Sequence, residues 1–325
     1  MHAETVGYQM RQSGQKPRNG QGTRRVRTAA IGAFLALVTG GLVLAVACGD
    51  PTGGSGSERP DAPRTSGSAR PSASPSPSPT PRWDRSPESL AAVGDSITRG
   101  FDACSLLADC TRASWVTGTK KGVHSLAQRL LSDPAGQSWN YAVSGAVMAD
   151  LRGQLTRAAS HSPDLVTVLS GANDACRPSV SQMTPVEVYR DEFRQALRAL
   201  RSEQPKTFVY VSSIPDLKRL WQQGRNNPMA ERVWQLGICP SMLHDARSDS
   251  PADQQRREEV QDRVVAYNKV LAQECAKDKR CRHDRGAVFN YRFTEAELSK
   301  WDWFHPSQQG QRKLAQLAHS RITAR

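Results

Sequence analysis

Asp164-Leu165-Val166-Thr167-Val168-Leu169-Ser170, running straight into Gly171-Ala172-Asn173-Asp174, is the stretch from which the fold can be read. Its extended form puts apolar side chains on both faces, as in a parallel strand covered by helices on each side. Working outward, apolar runs at 90–93, 139–143, 207–212 and 287–290 read as further strands. Between and beyond them lie helical patterns. Residues 122–132 place Val123, Leu126, Ala127, Leu130 and Leu131 on one side, and residues 254–276 align Val260, Val264, Tyr267 and Leu271. Thr184-Pro185-Val186-Glu187 reads as a helix start, with Pro at the first position and a Thr/Glu capping box, running to about residue 202. The last helix, 307–323, turns Leu314, Leu317 and Ile322 inward. Strands alternating with helices predict an α/β fold: a three-layer α/β/α sandwich with a central, mostly parallel sheet, filling residues 86–325 as one domain.

In such folds reactive groups gather at the carboxyl ends of strands. Gly94-Asp95-Ser96 follows the first strand, Ser144-Gly145-Ala146 the second, Gly171-Ala172-Asn173-Asp174 the third, and Asp302-Trp303-Phe304-His305-Pro306-Ser307 lies beyond the last. Taken singly these groups are bland: Ser96 reads as a helix N-cap, Asn173-Asp174 as an Asx-turn, Asp302 and His305 as a surface pair. Taken together, in order and at those strand ends, they resemble the four blocks of the SGNH (GDSL-like) hydrolases over nearly all of residues 88–325. Ile97 stands where that family usually has Leu. Arg112-Ala113-Ser114-Trp115, Ala172-Asn173-Asp174-Ala175-Cys176 and Phe304-His305-Pro306-Ser307 look most like its phospholipase B-like and secreted bacterial lipase-esterase branches. The resemblance implies Ser96 as nucleophile, His305 as base and Asp302 as the group that orients the imidazole. It implies an oxyanion hole made by the backbone N–H of Ser96, the backbone N–H of Gly145 and the side-chain amide of Asn173. Asp95 and Asp174 read as structural.

The remaining histidines, His2, His124, His161, His244, His283 and His319, read as surface or core residues. No His/Cys/acid cluster has metal-ligand spacing, and residues 118–122 lack the Gly-Lys-Ser/Thr ending of a P-loop, so neither a metal nor another cofactor is expected. The 325 residues carry a net +13. Residues 1–48 hold six Lys/Arg against one acid, and the rest of the excess is dispersed, which argues against nucleic acid as a partner.

A basic segment ahead of the apolar run 29–47, closing in Leu44-Ala45-Val46-Ala47-Cys48, reads as an export leader. Three fates stay open: lipidation of Cys48, ordinary cleavage, or retention as a helical anchor roughly 28 Å long. Residues 49–85 form a Pro/Ser/Gly-rich linker, expected to be disordered. Six cysteines follow the leader, an even number suited to an oxidising compartment. Of fifteen possible pairings, nearest-neighbour pairing is the simplest: Cys104–Cys110, Cys176–Cys239 and Cys275–Cys281. The expectation is thus a monomeric serine esterase or lipase, extracellular or on the cell surface, tied to the membrane if at all through its N-terminal segment. It would act on a lipid or an acylated small molecule or glycan. A carbohydrate O-deacetylase with the same site and a catalytically silent surface binding module are the alternatives. The wall of the substrate cleft is expected in residues 214–250, where no motif is readable.

Overall fold

The computed structural model describes residues 81–325. The expected leader, its Cys48 and the linker up to residue 80 lie outside the described residues. Five strands, β1 (Leu90–Gly94), β2 (Ser138–Asn140), β3 (Leu165–Leu169), β4 (Phe208–Val211) and β5 (Cys281–His283), form one parallel sheet in the order β2-β1-β3-β4-β5. Every residue of β1, β3 and β4 is buried, whereas the edge strands β2 and β5 are half-buried. The apolar composition of each central strand follows from this double covering.

Ten α-helices surround the sheet among the described residues: α1 (Ser96–Arg99), α2 (Leu126–Leu130), α3 (Leu151–Ala159), α4 (Ala172–Ala175), α5 (Val186–Glu203), α6 (Leu217–Gly224), α7 (Pro228–Trp234), α8 (Pro240–Leu243), α9 (Pro251–Ala276) and α10 (Gln308–Thr323). From β1 the chain steps outward to β2, then back across β1 to β3, β4 and β5. Right-handed crossovers put α2 on one face and α3, α5 and α9 on the other. The packing agrees: α3 lies on α5 and α5 on α9, while α2 lies against α10. This is the three-layer α/β/α sandwich the sequence implies. The direction of chain travel reverses beside β1, so the crevice at its carboxyl end is the natural place for a site.

Four local expectations need correcting. The last strand is Cys281–His283, not 287–290. There the buried Asp284 carboxylate accepts the N–H groups of Gly286 and Val288 at 2.8 and 3.0 Å, so the apolar run curls into a turn with Val288 inward. The Thr184/Glu187 capping box does not form: the Thr184 hydroxyl donates to Asp174 Oδ1 at 2.8 Å, and Glu187 pairs with Arg190. The helix expected over 122–132 is only Leu126–Leu130, because Ser125 caps it in a reciprocal bond with Gln128. In the second strand, regular pairing covers Ser138–Asn140, although Tyr141 and Val143 still donate to the carbonyls of Ala92 and Gly94.

Trp83, inside the stretch read as linker, packs edge-on to Phe208 and donates its indole N–H to the Ile322 carbonyl at 2.9 Å. Contact with the domain therefore starts ahead of residue 86. Three disulfides join Cys104 to Cys110, Cys176 to Cys239 and Cys275 to Cys281. Among the described residues no helix is long and apolar enough to cross a membrane.

Candidate active site

β1 ends in a tight elbow that only its own sequence permits. Gly94 has φ +138°, and a Cβ there would stand 2.0 Å from the Leu169 carbonyl oxygen of β3. Past the elbow, the Asp95 carboxylate accepts the Ile97 N–H at 2.9 Å and starts α1, with Ser96 as its first residue. A bland N-cap reading of Ser96 fails here because Asp95 holds that position. The Ser96 hydroxyl is free to face the crevice, where the residue keeps 8% of its surface exposed.

The loop 299–307 brings the other two residues to it. Ser96 Oγ lies 2.8 Å from His305 Nε2, and His305 Nδ1 lies 2.5 Å from Asp302 Oδ2. Asp302 Oδ1 accepts the N–H groups of Phe304 and His305, both at 3.0 Å, so both carboxylate oxygens are engaged. Trp303 between them takes φ +50°, the left-handed turn that lets Asp302 fold back under the imidazole. The Trp234 indole at the end of α7 fixes the loop by donating to the Asp302 carbonyl at 2.7 Å. Phe101 covers the His305 ring at 4.9 Å between centroids.

Burial opposes the charged form of both partners, and the pair overcomes it in opposite directions. Burial works against the imidazolium, but the hydrogen bond and charge of Asp302, helped by Asp95 and Asp102, hold His305 above its ordinary value. Burial likewise works against the Asp302 carboxylate, yet the His305 bond and two backbone N–H groups keep it below the usual carboxylate range. The arrangement can take a proton from Ser96 and hold it as a stabilised imidazolium.

Two further residues singled out in the sequence follow β2 and β3. Gly145, with φ +83°, follows β2; a Cβ on it would meet nothing within 4 Å, so its backbone fronts open space. That space is a cavity of about 570 Å³ lined by Ser144, Asp150, Gln154 and Arg157 as well as Gly145. Asn173, on α4, donates from Nδ2 to the Ala146 carbonyl at 2.9 Å, and the second hydrogen on that nitrogen is left over. Among the described residues neither the Ser96 N–H nor the Gly145 N–H donates elsewhere. Three donors thus remain available at the carboxyl ends of β1, β2 and β3. No group of three or more His, Cys, Asp or Glu side chains among the described residues could hold a metal ion.

Sequence reasoning missed the residues that hold this geometry. The buried Gln154 amide spans the elbow, accepting the Gly94 N–H at 2.6 Å and donating to the Gly94 carbonyl at 2.9 Å. Gln311, on α10, donates to the Ile97 carbonyl at 2.8 Å and accepts the Trp115 N–H at 2.9 Å. Asn140 reaches Thr98, Ser114 and Thr117 together. A signal existed for Gln154 alone: it shares a helical face with Leu151, Leu155 and Ala158. The 214–250 stretch contributes α6, α7 and α8, joined to the segment after Asn173 by Cys176–Cys239.

Residues 90–318 match the profile of a family described as GDSL-like lipase/acylhydrolase. No curated protein matches the chain. Among solved structures, the chain is similar to phospholipase A1 from Streptomyces albidoflavus NA297 at 18% identity, covering 72% of this chain and 99% of that one, with a TM-score of 0.45. The extracellular lipase of Streptomyces rimosus is similar at 18% identity, with 72% and 99% covered and a TM-score of 0.44. A family 3 carbohydrate esterase of Clostridium thermocellum is similar at 14% identity, with 72% and 94% covered and a TM-score of 0.40.

Proposed function

Because this chain belongs to the GDSL-like lipase/acylhydrolase family, and so hydrolyses ester bonds, we propose that it does so through a Ser96–His305–Asp302 triad and an oxyanion hole of Ser96, Gly145 and Asn173. The observation that carries this reading is the unbroken hydrogen-bonded chain from Ser96 Oγ through the imidazole to the Asp302 carboxylate. His305 Nε2 takes the hydroxyl proton as Oγ attacks the ester carbonyl carbon, and Asp302 stabilises the imidazolium without itself being protonated. The carbonyl oxygen, now negative, accepts from the two backbone N–H groups and the spare Asn173 hydrogen. Collapse of the adduct breaks the carbon–oxygen bond to the alcohol, which leaves with the proton from His305. Water then repeats the sequence on the acyl-serine and frees the acid.

The cleft suits a second reading as well. The polar lining beside Gly145, with Ser144, Asp150 and Arg157, favours an acetylated sugar over a long acyl chain on that side. Export is part of the proposal too. The apolar run 29–47 ending at Cys48 supports it, as do three disulfides in a domain of this size. The test is hydrolysis of chromogenic esters of increasing acyl length, with acetylated sugars and phospholipids in parallel. Ser96→Ala is expected to lower kcat by at least about three orders of magnitude. A Ser96→Ala protein that turns over at the wild-type rate would refute the serine mechanism.

A further inference from the structure

The loop after α1 is closed by Cys104–Cys110 and carries Leu106 and Leu107 at its tip, 52% and 72% exposed. Leu107 takes φ +52°, a left-handed conformation that glycine or asparagine adopts more cheaply than leucine. Neither packing nor backbone geometry accounts for a leucine there. Two adjacent exposed leucines also make a patch rather than a scattered apolar residue. The loop is tied to the candidate site from several sides. The Asp109 carboxylate pairs with Arg99 of α1 at 2.8 Å and accepts from the Ser144 hydroxyl, next to Gly145, at 2.5 Å. At the base of the loop the Asp102 N–H donates to the Ala108 carbonyl at 3.0 Å. The Asp102 carbonyl in turn accepts from the Ser299 hydroxyl at 2.8 Å, where the segment carrying Asp302 and His305 begins.

Cations flank the loop on both sides. Ala103 and Cys110 pack on Ala113 and Val123, in a neighbouring segment that carries Arg112, Lys120 and Lys121. The Lys120 N–H donates to the Arg112 carbonyl at 2.9 Å, which folds that segment back on itself. On the other flank Lys300, with Ala103, Cys104, Trp301 and Trp303, lines a cavity of about 470 Å³, and its ammonium lies 4.8 Å from the centre of the Trp301 ring. Glu295 is an exposed acid in the same cavity. None of Arg112, Lys120, Lys121 and Lys300 has an acidic partner among the described residues.

A leucine tip, half-buried tryptophans beside it and unpaired cations around its base suit one kind of surface. In a bilayer of anionic lipid, leucines reach the acyl layer, tryptophans take the interface and cations meet the headgroups. An apolar groove on a protein would match the leucines but leave the four cations unanswered. We propose that this tip docks the chain on an anionic lipid surface, so that esters held in that surface are the ones delivered to Ser96. The proposal deepens the reading of Ser96 as an esterase nucleophile and rests on it.

Two readouts test it in the full chain, one of them independent of turnover. In Ser96→Ala, hydrogen exchange of residues 104–110 should slow when phosphatidylglycerol vesicles are added, and slow less with phosphatidylcholine vesicles. In the active chain, a chromogenic medium-chain ester carried in phosphatidylglycerol vesicles is compared with a chromogenic acetate free in solution. Leu106→Ser and Leu107→Ser should each raise KM for the vesicle-borne ester about tenfold and leave turnover of the acetate unchanged. Arg112→Gln and Lys121→Gln should each raise that KM about fivefold, and only where the lipid is anionic. Val265→Ser, at a position 47% exposed on α9, should alter neither rate. Exchange that vesicles leave untouched, or that both lipids slow equally, would overturn the proposal, as would leucine variants with the wild-type KM. So would a loop protected by raising the protein concentration without vesicles, which would make a second copy of the chain the occupant. An active Ser96→Ala would instead remove the serine reading, and the exchange result would still decide the docking by itself.

Discussion

Replacing Gln154 with Leu keeps most of the side-chain volume and removes both bonds to the elbow that carries Ser96. The Gly94 N–H, bonded at 2.6 Å, loses its one acceptor among the described residues in a fully covered position. A buried donor left unpaired costs about 1–3 kcal/mol. The Gly94 carbonyl suffers less, since the Val143 N–H still donates to it at 3.1 Å. A net loss of about 2 kcal/mol follows, equivalent to about 4–8 °C in melting temperature for a domain of this size. Activity should fall further than stability suggests. Gly94 sits two residues before Ser96, and a misplaced nucleophile can cost on the order of 10²-fold. The assay is calorimetry of the oxidised chain together with ester hydrolysis at 25 °C. Gln255→Leu serves as control, because Gln255 bonds only the exposed Glu259 and its loss should stay within about 0.5 kcal/mol. If Gln154→Leu melts within a degree of wild type and keeps its kcat, the elbow is held by the strands alone and this reasoning fails.

Asn173→Ala should lower kcat by about 10²–10³-fold with little change in KM; turnover equal to wild type would remove Asn173 from the oxyanion site. Stability should fall as pH rises from about 5 to 8. Burial pushes Asp95 up to about 7 and Asp174 up to about 6, so above the ordinary carboxylate range the unfolded chain releases these protons while the folded one retains them. Asp95→Asn, which can still accept the Ile97 N–H, should flatten that slope in urea titrations; an unchanged slope would clear Asp95 of the effect.

The central layer was legible because double burial leaves an unmistakable composition. Leu165, Val166, Val168 and Leu169 have no solvent face to reveal alternation, and they read as a central strand at once. The edges were harder for the same reason turned around. Cys281-Arg282-His283 has little apolar content to announce a strand; it is one because Cys275–Cys281 and the β4 ladder hold it there. Conversely Ala287-Val288-Phe289 is apolar enough to mimic a strand, and only the Asp284 carboxylate explains the turn. Thr184 shows the limit of local rules, since a good capping sequence gave up its hydroxyl to a partner ten positions back. At the candidate site, the groups proposed to react sit in short motifs that the sequence displays. Groups that only position them, such as Gln154, Gln311 and Trp234, are ordinary residues whose roles depend on distant backbone atoms.

That division has a consequence for when the site exists at all. Ser96 and His305 are separated by 209 positions, and Gln311 reaches Ile97 across 214. Closing such loops is costly in entropy and is recovered only when the whole interface forms. The Gln311 bridge joins α1 to α10, and α10 lies against α2. The loop carrying Asp302 and His305 enters α10 through Ser307, whose hydroxyl caps its first turn. The loop that brings the imidazole to Ser96 is therefore tied to the docked last helix. The proposed triad thus belongs to the closed sandwich rather than to any one motif, and a folded sheet lacking α10 would lose the Gln311 bond to Ile97 that braces the helix carrying Ser96.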